Sequence, residues 1–183
     1  MDKILTGLFL ILIAGLLVAM CVGFEWAGGE GVIQTLPAQI EITSGSVIIE
    51  KNGKTRTAND HEYLARGEIV RTGGSARATI KIGKEIWTAL DERTDISLEK
   101  LTPTQVELKI TRGRILAQTS GESEKFTVSS PEDSKTITNG AITAVRYDWL
   151  EKTEIIPFNE FDWENSSEKD FYEWGLGLKN PRR

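Results

Sequence analysis

The chain has 183 residues, enough for one domain with a real core plus an attachment. Its net charge of −5, without a basic stripe, excludes the phosphate-neutralising surface of a nucleic-acid binder. A single cysteine, Cys21, and a single histidine, His61, exclude an intrachain disulfide, a Cys-x-x-Cys metal site and a paired-histidine zinc site. A Ser-His-Asp triad survives only if His61 supplies its base.

The first element is apolar all round. Residues 4–23, from Ile4 to Gly23 (ILTGLFLILIAGLLVAMCVG), carry no charge, and Thr6 is their only conventional polar side chain. Twenty helical residues at roughly 1.5 Å each span about 30 Å, the thickness of bilayer hydrocarbon. A buried core helix would keep a polar side, which this segment lacks. The expectation is a transmembrane signal anchor over residues 1–23. A cleaved secretory signal and a lipoprotein signal ending at Cys21 stay open, although the cut region has no small-x-small pattern and Met20 is bulky. Lys3 precedes the segment while Glu25 and Glu30 follow it, so the bulk of the chain is expected outside the cytoplasm, periplasmic or at the cell surface. Trp26 stands where an indole suits the headgroup layer, and residues 24–38 read as a stem linker, with Ala27 to Gly31 its most flexible part.

From residue 39 to 157 the pattern is that of strands. Ile40, Ile42, Val47 and Ile49 lead into Asn52-Gly53, the strongest hairpin signal in the chain, because both residues tolerate the positive φ of a type I′ turn. Residues 54–57 form a polar return strand. His61 falls in the polar loop behind it, with no partner set for a base or ligand role.

Residues 67–98 pack several strand-like runs between tight turns. Ala76, Ala78, Ile80 and Ile82 alternate with Arg77, Thr79 and Lys81, which puts the apolar set on one face and the polar set on the other. Ile86 to Leu90 follows at once, a polar corner at Asp91, Glu92, Arg93 and Thr94 comes next, and Ile96 and Leu98 resume the alternation. A β-meander, or one rung of a coiled β-structure, is expected.

Val106, Leu108 and Ile110 alternate up to a break at Gly113. Ile115 and Ala117 resume, Gly121 turns the chain, and Phe126 and Val128 mark a strand ending at Ser130-Pro131. Asn139-Gly140 precedes a last core strand over residues 141–147, and a further β-run covers residues 153–156. Turn signals this regular predict an all-β, multi-stranded antiparallel or coiled domain, sandwich or solenoid-like.

The order of these pieces resembles the FecR-type domain. Leu64-Ala65-Arg66-Gly67-Glu68-Ile69-Val70-Arg71-Thr72 is similar to that family's Leu-x-x-Gly-Asp-x-(Ile/Val)-x-Thr motif. Residues 75–82 resemble its Ser-x-Ala-x-(Ile/Leu) strand, and residues 94–98 its Thr-x-(Ile/Leu)-x-Leu strand. Residues 126–131 resemble its Phe-x-Val-x-Thr-Pro step, and residues 140–145 its Gly-Thr-x-Phe-x-Val strand. Glu68 replaces the usual aspartate, Gly83-Lys84 an Asp-Gly-Ser turn, and Thr143 an aromatic residue. The resemblance implies the outward, partner-binding half of an inner-membrane signal transducer. With three residues before the apolar segment, the family's cytoplasmic anti-sigma domain is not expected in this chain.

Residues 158–183 change character. Phe158, Phe161, Trp163, Phe171, Tyr172 and Trp174 are interleaved with Glu160, Asp162, Glu164, Asp170 and Glu173. Ser167 resembles an N-cap and Gly175 a C′ stop, so a short helix over about residues 168–174 is expected. These aromatics either fold back to close an open end of the domain, or form a docking segment in which Phe161, Trp163, Phe171, Tyr172 and Trp174 are the candidate contacts. The acidic groups lack the Asp-x-Asn-x-Asn-Gly pattern of a calcium loop, and Lys179, Arg182 and Arg183 read as a solvated end.

No catalytic set stands out, and no cofactor or metal is expected. The sequence points to a membrane-anchored extracytoplasmic module, held in the membrane by Ile4–Gly23, that binds a protein or an envelope polymer and does no catalysis. One alternative is a subunit of a transmembrane signalling complex whose cytoplasmic part is another chain. The other is a glycan hydrolase using Asp91 or Glu92 with Asp95, or Glu85.

Overall fold

The computed structural model describes residues 34–120, 125–148 and 151–177. The apolar segment, Cys21, Trp26, the stem glycines, the Gly121 corner and the basic C-terminal residues lie outside them. The chain divides into two units, residues 1–34 and 35–183, and all the described strands and helices belong to the second. No helix among the described residues is long and apolar enough to cross a membrane.

The second unit is all-β apart from one short helix. Its strands are β1 (Ala38–Ser44), β2 (Val47–Lys51), β3 (Lys54–Thr57), β4 (Tyr63–Leu64), β5 (Ile69–Thr72), β6 (Arg77–Ile82) and β7 (Ile86–Leu90), followed by β8 (Asp95–Thr102), β9 (Gln105–Thr119), β10 (Lys125–Ser129), β11 (Ser134–Ile137), β12 (Ile142–Asp148) and β13 (Glu151–Pro157). They form one curled 13-stranded sheet.

β9 is the spine of that sheet. Its first half pairs with β8 and β10, and its second half with β7 and β12. Two wings result. The first runs β4-β1-β6-β7-β9-β12-β13, and the second β3-β2-β5-β8-β9-β10-β11. The expected break at Gly113 is therefore a bend within one strand. Gly113 has φ +92, and a Cβ there would lie 2.4 Å from Thr94 Oγ1 and 2.6 Å from Thr94 Cα. Only glycine can take that backbone angle with Thr94 packed so closely against it.

The stretch expected as a meander is split between the wings. β6 and β7 form a hairpin in the first, while β5 and β8 pair with each other in the second. The polar corner at residues 91–94 carries the chain across. Asp91 N donates to Arg114 O at 3.1 Å and Thr72 N to Thr94 O at 2.9 Å, so the corner is stitched to both wings. The antiparallel expectation has one exception, since β10 runs parallel to β9. A parallel pair needs a crossover of about a dozen residues or more, and the second half of β9 with the segment behind it supplies that length. β11 carries only one buried apolar residue, Ile137, and has no alternation by which to recognise it.

The inner faces of both wings share one core. Ile40, Ile80, Ile82, Ile86 and Leu90 come from the first wing, and Val47, Ile49, Val70, Ile96, Leu98, Leu108, Ile110, Phe126 and Val128 from the second. Ile80, Ile82, Ile96, Leu98, Leu108 and Ile110 are all fully buried, as the alternation predicts. At roughly 25 cal/mol per Å² of apolar surface removed from water, this cluster is the main source of stability. The β2–β3 hairpin turns at Asn52 (φ 51) and Gly53 (φ 74), and the polar β3 is an exposed edge.

The first wing is also apolar on its outer face. Ala89, Leu116 and Ala144, one residue out of phase with the inner set, form a second cluster with Phe171, Tyr172 and Trp174. The segment after β13 covers it through two 3₁₀ turns, Phe158–Glu160 and Trp163–Asn165, and helix α1 (Lys169–Gly175). The N-cap position is Glu168 rather than the expected Ser167, without a side-chain cap hydrogen bond, and the Ser166 hydroxyl accepts from Glu168 N at 3.0 Å. Gly175 is not the stop either. It is the last helical residue and is buried, with a Cβ placed 2.6 Å from Leu116 Cδ1, while Gly177 takes the left-handed conformation at φ +73. The reason is packing, because α1 lies so near the sheet that this position has no room for a side chain.

Candidate functional site

The five aromatics considered for docking belong to this outer cluster. Phe171, Tyr172 and Trp174 are buried in it, and Phe161 and Trp163 are half-buried against it. Phe161 meets Tyr172 edge-on at 5.3 Å, and Phe171 lies 5.3 Å from Tyr172 and 5.9 Å from Trp174. Such pairs contribute about 0.5–1.5 kcal/mol each beyond their area.

A charge network ties the same segment down. Asp91, with 2 % of its side chain exposed, sits between two guanidinium groups, with Arg77 Nε 3.3 Å from Oδ1 and Arg114 Nη2 2.7 Å from Oδ2. Each arginine continues outwards to the C-terminal segment, Arg77 Nη1 to Asp170 at 2.9 Å and Arg114 Nη1 to Glu168 at 2.7 Å. Arg77 also lies 5.4 Å from the Trp174 ring centroid and 5.9 Å from that of Phe171. The alternation predicts Arg77 on a solvated polar face, and this is corrected: the C-terminal segment covers that end of β6 and makes Arg77 a bridge. Thr79, also expected on that face, is buried between Glu41 and Ala89 in register. Lys81 is exposed.

Burial raises the pKa of Glu168. The Ser166 hydroxyl, the Arg114 charge, the Ser167 hydroxyl and the Arg146 charge lower it by more, so it ends below 4.5. Burial, helped by the negative charge of Glu168, pushes Tyr172 up to about 12.

The acidic residues weighed for hydrolysis are engaged by arginine or face apart. Both oxygens of Asp91 are taken. Asp95 accepts from Arg112 Nη2 at 3.0 Å and lies 3.7 Å from Arg71 Nε. Arg71 in turn pairs with Glu50 at 3.0 Å, so Glu50, Arg71, Asp95 and Arg112 form a ladder of alternating charge across β2, β5, β8 and β9. Glu92 lines a cleft at the bend of β9, and Glu85 lines a different one, with Lys84 and Trp87. His61 sits in an exposed turn at φ 59, its ring 3.6 Å from Asp60.

The polar residues of the Leu64–Thr72 stretch act inside the fold. Glu68 accepts from Ala65 N at 2.8 Å and pairs with Arg56 at 3.1 Å, which closes the turn before β5. Thr72 Oγ1 donates to Asp91 O at 2.5 Å and accepts from Thr94 N at 2.8 Å, fixing the corner between the wings.

The cleft at the bend of β9 is rich in arginine. It encloses about 370 Å³ and is lined by Arg93, Arg112, Gly113, Arg114 and Arg146, with Glu92, Tyr147 and Asp148. Three elements supply the arginines: the 91–94 corner, the two sides of Gly113 on β9, and β12. Arg114 and Arg146 stand directly opposite each other across the β9–β12 ladder. Glu168 reaches Arg114 from the side of the C-terminal segment and feels the charge of Arg146 as well. Sequence reasoning placed no function on these arginines. The Arg-Gly-Arg triplet at residues 112–114 is the one local signal for them, and Arg146 joins only through strand pairing. A neighbouring cleft of about 300 Å³, between β12, β13 and α1, shares Arg146 and is lined also by Glu154, Asp162, Ser166 and Tyr172.

No protein-family model matches the chain, and no match to it was found among curated proteins or solved structures.

Proposed function

We propose that the chain is a membrane-anchored, extracytoplasmic binding module of the FecR-like kind, which presents its strand-built domain to a partner outside the cytoplasm and does no catalysis. Two features support the anchor, the uncharged run of residues 4–23 and the charge difference across it. The observation that carries the binding reading is the open arginine-lined cleft at the seam between the wings. A cleft walled by side chains on paired strands is pre-organised for recognition, because little has to be ordered when a ligand arrives. Asp91, the most buried of the acidic residues weighed for chemistry, offers neither oxygen to a substrate, since each already holds a guanidinium. Cell fractionation tests the reading: the full chain should stay with membranes through alkaline carbonate extraction, and a variant lacking residues 4–23 should be released. A full-length chain recovered in the soluble fraction would overturn the anchor.

A further inference from the structure

We propose that the cleft at the bend of β9 binds a phosphate ester with neighbouring hydroxyls, that is, a polyol phosphate. This deepens the binding-module reading and rests on it for where the ligand is met. Arg114 and Arg146 supply the first reason. Like charges directly opposite each other on paired strands repel, and an anion between them relieves the repulsion. On the side of the C-terminal segment Glu168 plays that part, 2.7 Å from Arg114. An anion in the cleft would do the same from the other side.

Arg93 supplies the second. It has φ +53, a conformation that a side chain with a Cβ disfavours, and the corner holds it there through Arg93 N donating to Gly73 O at 3.0 Å. Arg112 and Arg114 are tied to Asp95, Asp91 and Glu168, whereas the guanidinium of Arg93 makes no ion pair among the described residues. Arg112 and Arg114 thus form a fixed wall of donors, and Arg93 brings a charge that is in no ion pair among the described residues. A phosphate group has oxygens enough to engage several guanidinium forks at once, where a carboxylate has only two. Glu92 and Asp148 line the same cleft. Both disfavour a densely charged chain, and Glu92 can accept hydrogen bonds from hydroxyls, which selects a polyol phosphate. A phospholipid headgroup and a polyol phosphate polymer share this chemistry.

The test is a titration of the full chain in neutral detergent micelles with glycerol phosphate, followed by calorimetry and by backbone amide shifts. Saturable binding is expected, with shifts centred on the 91–94 corner and residues 112–114 and 146–148. Arg93→Gly suits the positive φ, so it removes the guanidinium without straining the corner, and it should weaken binding roughly tenfold, the loss of one charge-assisted contact. Lys54→Ala, on the β2–β3 hairpin, should leave binding unchanged. Acetate at equal concentration should not compete. Absence of saturable binding, equal effects of the two substitutions, or competition by acetate would each overturn the proposal. A soluble glycerol phosphate oligomer and phosphatidylglycerol vesicles then separate the two sources by which one binds the intact chain more tightly. The titration uses purified protein, so it can fail while the chain still fractionates with membranes, and the reverse also holds.

Discussion

Asp91→Asn is the substitution that most sharply tests how the C-terminal segment is held. It keeps the shape of the side chain and removes the charge between Arg77 and Arg114. Breaking a buried ion pair from one side costs about 3–5 kcal/mol when the remaining charge is left buried and alone. Here the two arginines are about a quarter exposed, at 23 % and 25 %, and keep Asp170 and Glu168 as outer partners. The expected loss is therefore smaller, about 2–3 kcal/mol. It should be read by urea denaturation under tryptophan fluorescence, to which Trp174, packed against Arg77, contributes. A double-mutant cycle with Asp170→Asn should show coupling, because both carboxylates act through Arg77. A loss under about 0.5 kcal/mol, with additive single effects, would refute the idea that the buried carboxylate organises the clasp.

The outer cluster itself can be removed by ending the chain at Asn159. The truncated protein should melt earlier and bind a hydrophobic dye, and an unchanged melting temperature would contradict the packing of Phe171, Tyr172 and Trp174 on the first wing. Ile80→Ala should cost about 2–4 kcal/mol and Thr55→Ala, on the exposed edge strand, under about 0.5, both by chemical denaturation. Gly113→Ala should destabilise more than Gly53→Ala, although both have positive φ, because Thr94 fills the space at the first and nothing stands within 4 Å at the second. Docking of α1 should depend on pH at both extremes. Glu168 is lowered by folding, so its contribution is present above its unfolded value near 4.5 and is lost as pH falls through the folded value. Tyr172 is raised, so its contribution is complete below about 10 and is lost as pH rises through about 12; hydrogen exchange of the α1 amides should report both.

Much of the strand framework was legible because a period of two survives wherever one face is buried. Ala76 to Ile82 and Val106 to Ile110 are the clearest cases, and the Asn52-Gly53 hairpin followed from turn chemistry alone. The partition of those strands was not legible. Alternation says which face is buried but not which neighbour a strand pairs with, so nothing local assigns β5 and β8 to one wing and β6 and β7 to the other. Gly113 looked like a strand end because a glycine after alternating residues usually is one, and only the nearness of Thr94 makes it a bend. The double-sided apolar pattern of the first wing, Ile115-Leu116-Ala117, was present in the sequence as a signal that both faces are covered. The arginine cleft was the least visible part, since Arg93, Arg112 and Arg146 are far apart in the chain and meet only through the corner and the β9–β12 ladder.

Where the partner is met depends on the strand-built domain being displayed outside the cytoplasm on an N-terminal anchor. The single native cysteine allows a direct measurement. In a Cys21→Ser background, Thr55→Cys puts one thiol on the exposed edge strand β3. Spheroplasts expressing this variant should be labelled by a membrane-impermeant maleimide before any lysis, and lysis should add little. Labelling that appears only after lysis would place the domain inside and contradict the proposed topology.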